Sequence, residues 1–573
     1  MDRKKSMEKK SNDYILAKYD VSGIQSYIFA TNRLRENAGA SYQVTRILEE
    51  FLPEAMKGVL SDNGEVKTVI TKWNRQDSLS LPEDEGIQAE IVYIGGGNAV
   101  VLYRTKEQYI KVGQRLGRKV AENCQGLYLA AACIDTKLID FRSDMKRLDD
   151  RLAEYKQKMV RQPVMALYPV VERDHLSHHP ITHSIRYEKV DKVSIDYLTE
   201  IQYQKRNAYE QIQTWRYEQI HGSQKARSEN AGDQKEGGQV GDSSSYGFKW
   251  LYPEIGEGAE YAYPEEAEML CRKTGEDSYI AVVHIDGNGM GAQVKEIMDT
   301  HMEYKKGVPL LRKKSKEIAM LFGKTYEEVL RKLWVHQNEL MIESEDGEKI
   351  LPLRPILLDG DDFTFICTAD LAIPITIGFM GQLSLLQKEK SKKITACAGI
   401  AFVHSHFPFY EAYKIAEESC SRAKKKWYGE KQLRKERGNS EDPEEGYLDF
   451  EVIKGSEIGA FQGDEEWQAR PYAVREQIKE EEPGSLSILY EVLKKMEDWP
   501  SNRLHKIYHA MQRGEVEVDN LQREYQSRGY HIEKLAGNLN WQESPLFDAL
   551  EVRGMCRLDL LKEYLNIQDE VSR

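Results

Sequence analysis

The sequence predicts an α/β chain made of two related modules followed by a polar-faced helical region. Three observations lead there. Short apolar runs of strand type alternate with amphipathic stretches of helical spacing along most of the chain. One order of elements occurs twice: a strand, a turn with Asp, a helix, then a β-hairpin with a tight turn. It appears first with Asp20 and Gly95–Asn98, and again with Asp286 and Asp359–Asp362. From Ser485 to Arg573 the pattern is mostly helical, as in a small helical bundle.

Taken in order, Tyr14–Ala30 reads as a strand, a turn at Ser22-Gly23 and a helix. Ile91–Tyr103, IVYIGGGNAVVLY, reads as two β segments around a glycine turn. Leu127–Thr136 fits strand or helix, and Arg142–Val160 a charged helix. Pro163 to about Tyr217 carries no clear pattern, and Gly222–Gly247 reads as a flexible insertion because it offers few apolar groups to bury. Tyr279–Ile285, YIAVVHI, is a strand of the buried type. A helical stretch follows from Met290 to about Asn338, then the hairpin at Asp359 and a helix ending near Lys390. Ile394–His404 is a strand, Phe409–Lys426 a helix, and Glu430–Gly446 a charged loop. The predicted segments are a first module (1–160), an inter-module region (161–275), a second module (276–480) and a helical domain (481–573).

Composition narrows the class. The 573 residues leave room for about three or four domains, at about 150 residues each. No apolar stretch reaches the roughly 18–20 residues of a membrane span. The start, MDRKKSMEKKSND, is basic and then polar, unlike a signal peptide. The expectation is a cytoplasmic protein with no membrane partner. The seven cysteines form no CxxC pair, so a zinc ribbon is not expected, and most read as small core residues of a reduced protein. A net charge of −13 excludes a surface that is basic throughout. Arg312-Lys313-Lys314 is read as a solvated helix face.

The chemistry concentrates in the second module. The strand YIAVVHI ends at Asp286, and Gly287-Asn288-Gly289 lets the backbone turn sharply ahead of a helix, whose first N–H groups suit a phosphate. A calcium-loop reading fails, because the fifth and twelfth loop positions are Met290 and Ile297 and a strand precedes the loop. In PILLDGDDFTFIC, Asp361 and Asp362 sit at the tip of an apolar hairpin, where like charges are costly without a cation between them. Asp286, Asp361 and Asp362 together suit two hard cations of the Mg²⁺ type, able to hold a triphosphate and activate a 3′-hydroxyl. The competing reading is a solvated hairpin turn. Lys424 either reaches the triphosphate as a point charge or caps a solvated helix end.

The order of D-G-x-x-M-G (Asp286–Gly291), a GGDD-like hairpin (Asp359–Asp362), A-G-I-A-x-V-H-x-x-F-P (Ala398–Pro408) and a helix reaching Ala423-Lys424 resembles a known family. It is similar to the second palm domain of the large polymerase-like subunit of type III CRISPR effector complexes, a relative of the GGDEF nucleotide cyclases. Leu448–Ser456 and Ala469–Tyr472 look like the same family, and Asp20–Phe29, Leu34–Ser41 and Gly95–Asn98 are similar to its first palm.

The resemblance implies two ferredoxin-like palm domains packed together, plus a C-terminal helical bundle. It implies a metal-dependent nucleotidyltransferase that converts ATP to cyclic oligoadenylate second messengers in antiviral defence. Asp286, Asp361 and Asp362 would hold Mg²⁺ or Mn²⁺, with Gly287, Asn288, Gly289, Gly360 and Lys424 around the nucleotide. Ser22, Gly23, Gln25, Gly95, Gly96, Gly97 and Asn98 would form a second nucleotide site that binds without catalysing. RNA and CRISPR effector subunits are implied partners. Adenine comes from the resemblance and from no residue in particular.

The sequence departs from the family pattern at Asp359, in place of the first glycine, and at Asn288, where many members have a second Asp. No HD nuclease segment precedes Tyr14 and no cysteine zinc module separates the palms, which points to a reduced, stand-alone member. Between the palms, His175, His178, His179 and His183 fall within nine residues; they read as a polar loop, with a metal site as the alternative. The competing function is a catalytically inactive nucleotide- or RNA-binding scaffold.

Overall fold

The computed structural model describes residues 13–60, 68–73, 78–159, 170–175, 177–189, 192–228, 250–253, 255, 261–271, 278–343, 347–387, 393–438, 441–454, 467–474, 484–535 and 544–566. Two compact units account for the chain. The first comprises Met1–Ile28, Ala38–Lys249 and Gly289–Met320; the second comprises Phe29–Asn37, Trp250–Asn288 and Leu321–Arg573.

In the first unit, β1 (Tyr14–Ser22), β2 (Thr68–Ile70), β3 (Ile87–Gly95), β4 (Asn98–Tyr103) and β5 (Tyr128–Thr136) form, among the described residues, one sheet ordered β2-β3-β4-β1-β5. The run 127–136, ambiguous in sequence, is therefore a strand. The nine residues Tyr128–Thr136 pair along the whole length of β1, and that pairing settles what local pattern left open. Helix Phe141–Lys158 starts at an Asp140 side-chain cap and buries Phe141, Met145, Leu148 and Leu152, one apolar stripe of helical period. The stretch from Pro163 to Tyr217 contains a hairpin, β6 (Ile181–Lys189) and β7 (Lys192–Thr199), and much of a helix spanning Glu200–Ser228. That helix corrects the reading of a flexible insertion from Gly222: residues 222–228 are helical, and 229–247 lie outside the described residues.

Arg312 is a second correction. It is 3% exposed, donating to Val92 O at 2.7 Å, Ser78 O at 2.9 Å and Glu90 Oε1 at 3.0 Å. Glu90 is itself fully buried and accepts from the Ser80 and Leu81 N–H groups. The charge is held inside because every partner it needs is there.

In the second unit the strands are β8 (Tyr279–Gly287), β9 (Ile342–Glu343), β10 (Lys349–Ile350), β11 (Leu353–Asp359), β12 (Asp362–Thr368), β13 (Ala396–His404), β14 (Gly446–Val452) and β15 (Tyr472–Val474). Among the described residues the main sheet is ordered β11-β12-β8-β13-β14-β15. Its first four strands keep the ferredoxin-like order 2-3-1-4, as do β3-β4-β1-β5 in the first unit. The sheet is covered on both faces, which is why its strands read as continuous apolar runs. Helix Ala372–Leu385 is apolar all round and buried along most of its length. The predicted end of that helix near Lys390 lies outside the described residues.

Helix Phe409–Glu436 lays Phe409, Ala412, Tyr413, Ala416, Cys420, Ala423 and Trp427 on the sheet. It continues past Lys426, so Glu430–Glu436 is helix where the charged sequence suggested loop. Its charges line an exposed helical face, with Gln432 donating to Glu436 one turn on. Gly399 of β13 makes the close approach possible: a Cβ there would lie 1.9 Å from Ala416 O.

The C-terminal region is helical, with Leu486–Glu497, Ser501–Arg513, Glu515–Gln526, Leu546–Val552 and Leu558–Tyr564. It is tied to the sheet through Arg470, whose Nη1 lies 2.6 Å from Glu551 and 3.4 Å from Asp548, while Asp548 also accepts from Tyr472 Oη at 2.6 Å. The fold is thus two ferredoxin-like palm domains with a C-terminal helical bundle. Among the described residues no helix is long and apolar enough to cross a membrane. The seven cysteines are free; Cys271 and Cys556 are half-buried and the other five are buried.

Candidate active site

The acids come together in the second unit by strand register. β8 runs antiparallel to β12, and Asp286 is the direct partner of Asp362. Asp361 precedes Asp362 in the hairpin turn, and its carbonyl accepts from Gly287 N at 3.1 Å. Gly360 takes φ +64°, a left-handed conformation that a side chain disfavours, so the tight turn depends on it. Lys424, from helix Phe409–Glu436, donates to Asp286 Oδ2 at 2.5 Å and to Gly287 O at 3.3 Å. Asn288 is buried, with its backbone on Thr395 O at 2.8 Å and its Nδ2 on Thr395 Oγ1 at 3.0 Å. At this position it acts as a brace for the turn. Gly289 takes φ +71° and caps helix Met290–Thr300, which belongs to the first unit.

Electrostatics mark the hairpin tip. Burial, then the Asp286 charge and to a lesser degree Asp362, push the Asp361 carboxyl up to about 7, against a smaller pull from Lys424. Lys424 is held above the usual lysine range: burial disfavours its charge, but Asp286 outweighs burial.

Sequence reasoning passed over His284. It is buried beneath the acids, with Nδ1 at 3.3 Å from Asp362 Oδ1 and 3.1 Å from Thr364 Oγ1, and its ring is edge-on to Tyr413 at 5.5 Å. Burial lowers its pKa, but Asp362 more than compensates, leaving the imidazole raised. The available signal was parity. Residue 284 lies two before Asp286 on one strand, so both side chains share a face.

The first unit repeats the second at the level of single bonds. Asp20 pairs across β1–β4 with Asn98, as Asp286 pairs with Asp362. Val21 N donates to Gly97 O at 3.0 Å, matching Gly287 N to Asp361 O. The first hairpin strand of each unit carries a bulge, between Ile91 and Tyr93 and between Pro355 and Leu357. Lys156 pairs with Asp20 at 2.5 Å, the counterpart of Lys424 on Asp286. Each lysine stands twenty residues past the end of the preceding strand, Thr136 to Lys156 and His404 to Lys424. That spacing was the signal for Lys156.

The remaining predicted residues, Ser22, Gly23, Gln25 and Gly95–Asn98, gather at the same end of β1 and β4. Ser22 Oγ donates to Asp20 at 2.9 Å, Gly23 takes φ +79°, Gln25 is half-buried in the following turn of helix, and Asn98 Nδ2 folds back on Gly96 O at 2.8 Å.

Hard-cation chemistry fits the second unit, because three carboxylates on adjacent strand ends are the oxygen donors such ions take. Burial first, and the Asp286 and Asp362 charges after it, raise the Asp361 carboxyl, so its ionised form is costly without a cation nearby. The donors are not already gathered: among the described residues no three His, Cys, Asp or Glu side chains surround a common point. Of the histidine cluster, His175 and His178 lie on an exposed turn built on Asp174, and His183 stacks on Tyr203 at 3.9 Å.

A ferredoxin-like sheet with acids at the end of its first strand and on its central hairpin is the architecture of a palm domain. Residues 279–432 match the family model of the Cas10/Cmr2 second palm domain, and the chain resembles the large polymerase-like subunit of type III CRISPR effector complexes. Among solved structures it is similar to a Csm1–Csm4 cassette in complex with AMPPNP, at 12% identity and TM-score 0.50, covering 97% of this chain and 70% of that one. A cassette in complex with cA3 matches at 12% identity and TM-score 0.49, covering 98% and 71%. The Csm1–Csm4 subcomplex of the type III-A CRISPR-Csm interference complex matches at 13% and 0.43, covering 97% and 70%. At such identity the first likeness speaks to fold alone, and the other two carry none of the argument. No curated protein matches the sequence.

Proposed function

We propose that the chain is a metal-dependent nucleotidyltransferase that joins ATP molecules 3′ to 5′ and closes them into cyclic oligoadenylates, signals of an antiviral response. The observation that carries this reading is the register pairing of Asp286 with Asp362 beside an Asp361 carboxyl raised to about 7. Groups with strongly perturbed titration at a strand end suit a reactive site better than a surface turn. The match of residues 279–432 to a Cas10/Cmr2 palm supports the same class.

In this reading Asp286, Asp361 and Asp362 hold Mg²⁺ or Mn²⁺, which when bound neutralises triphosphate charge and lowers the pKa of the attacking hydroxyl. Gly360 and Gly287 keep the backbone close, and Lys424 offers the leaving pyrophosphate a positive charge. The 3′-hydroxyl of one nucleotide forms a bond to the α-phosphorus of the next, and the bond to pyrophosphate breaks. In the first unit Asn98 and Gly97 stand where the second has acids, so that unit binds nucleotide without turning it over. RNA and CRISPR effector subunits are the proposed partners.

The test is incubation with ATP and Mg²⁺ or Mn²⁺, measuring pyrophosphate and cyclic products. The variant Asp361→Asn with Asp362→Asn should lose about a thousandfold in rate, since cation stabilisation is worth several kcal/mol. No pyrophosphate from the unaltered chain, alone or with RNA, would favour an inactive scaffold.

A further inference from the structure

We infer that Lys424 is a resident counter-ion of the acid cluster, and that it gives up Asp286 when the acids take a divalent cation, so that metal loading delivers the lysine to the polyphosphate. The inference rests on the metal reading of Asp286, Asp361 and Asp362 and adds a role that reading does not contain.

Three observations carry it. First, the ammonium is committed. Lys424 Nζ sits 2.5 Å from Asp286 Oδ2 and 3.3 Å from Gly287 O, both on the strand end where a cation would bind. In this arrangement two of the three ammonium N–H donors are taken, and the Asp286 oxygen that faces Lys424 already answers one cation. Second, the acids are not gathered into a ligand group among the described residues. Asp286 is held by Lys424, and Asp362 lies against His284 at 3.3 Å. One oxygen of each of these two carboxylates thus has a resident cationic or hydrogen-bonding partner that a metal would compete with.

Third, the first unit supplies an internal comparison. At the matching strand end Asp20 faces Lys156 at 2.5 Å, Lys18 two residues before it pairs with Asp149 at 2.8 Å, and Gly97 and Asn98 bring no further charge. Each anion there has its own cation. In the second unit the lysine pairs with Asp286 alone, and Asp361 and Asp362 add two carboxylates with only the buried His284 as a further basic group, so once they ionise a divalent cation would restore the balance. The same ion pair is complete in one unit and insufficient in the other.

The exchange is a side-chain motion. Ala423 and Trp427 on either side of Lys424 are 0% and 1% exposed, and Gly399 holds the helix against β13, so the backbone stays in place. The Lys424 side chain is 24% exposed, and its four-carbon stem has room to swing.

The test is lysine acylation of the full chain by an N-hydroxysuccinimide acetate, read residue by residue by mass spectrometry with and without saturating Mn²⁺. Mn²⁺ binding is followed in the same samples by electron paramagnetic resonance. A lysine released from a carboxylate acylates faster, so the Lys424 rate should rise at least fivefold with Mn²⁺ while the Lys156 rate stays constant. A bound metal with an unchanged Lys424 rate would overturn the exchange and leave the metal reading standing. A rise shared equally by Lys156 would also overturn it. Absence of Mn²⁺ binding would overturn both. In a second measurement, Lys424→Met should bind Mn²⁺ several-fold tighter without nucleotide, because a competing cation is gone, and bind ATP more weakly once metal is present. Unchanged or weaker Mn²⁺ binding in that variant would count against the proposal.

Discussion

His284 and Asp362 form a buried contact, Nδ1 to Oδ1 at 3.3 Å, beneath the tip of the acidic hairpin. The His284 side chain is 7% exposed and makes a second contact to Thr364, so it fixes the orientation of the carboxylate above it. Partners of this kind commonly govern metal affinity by about ten- to a hundredfold. His284→Phe keeps the bulk against Tyr413 and removes both polar contacts. It should weaken Mn²⁺ binding by about that factor with the far-ultraviolet dichroism unchanged. Calorimetric titration is the check, and an unaltered affinity would remove His284 from the site.

Asp361 makes metal binding depend on pH. Its carboxyl is raised to about 7, and the protonated form is a poor ligand. Mn²⁺ affinity should fall by about tenfold per unit as pH drops below 7, with proton release on binding near pH 6.5. In Asp361→Asn that slope should vanish. The sign for stability is opposite. A carboxyl raised in the folded state favours folding below its unfolded value of about 3.9 and loses that contribution as pH rises through about 7. Asp361→Asn should therefore gain more in Tm over the parent at pH 8 than at pH 4.5. An equal gain at both would show that the charge is not frustrated.

Gly399 governs how closely the lysine-bearing helix sits. A Cβ there would meet two backbone atoms, Ala416 O at 1.9 Å and Cys420 N at 2.3 Å, and neither can swing aside. Gly399→Ala should cost at least the about 1–3 kcal/mol typical of overpacking, and should weaken the Lys424–Asp286 pair by lifting the helix. Gly381, inside helix Ala372–Leu385, has nothing within 4 Å of its built Cβ. Gly381→Ala should be neutral or stabilising by about 0.5–1 kcal/mol. Equal Tm values for the two variants would contradict the packing argument.

Arg470 joins the C-terminal helices to the second sheet. Its side chain is 1% exposed and answers Asp548 and Glu551, at 0% and 9%. Arg470→Ala strands two buried carboxylates, and breaking such a pair costs about 3–5 kcal/mol. Urea denaturation should show a loss of that size, and a change below about 1 kcal/mol would mean that water already reaches the cluster.

The hairpin acids were legible because their flanks are apolar on both sides. PILL and FTFIC require a buried strand pair, and a charged tip between buried strands is conspicuous in any arrangement. The repeat of Asp20 with Gly95–Asn98 was visible only as an order of elements. The shared bulges, the paired backbone bonds and the two lysines depend on register, and register is set by pairing between distant strands. Arg312 misled for a related reason. A basic run on a helix is ordinarily solvated, and only the fold supplies Glu90 and the Val92 carbonyl that bring this arginine inside.

By itself the sequence determined the two α/β modules, the strands that are apolar on both faces, the helical C-terminal region and the three acids. Each of these follows from local period and composition, which persist in any conformation of the chain. Tertiary structure alone decided which charges meet: Lys424 on Asp286, Lys156 on Asp20, His284 under Asp362 and Arg470 among its carboxylates. Charge pairing acts over a few ångströms, and residues far apart in the chain come within that range only when strands pair and helices settle on the sheet.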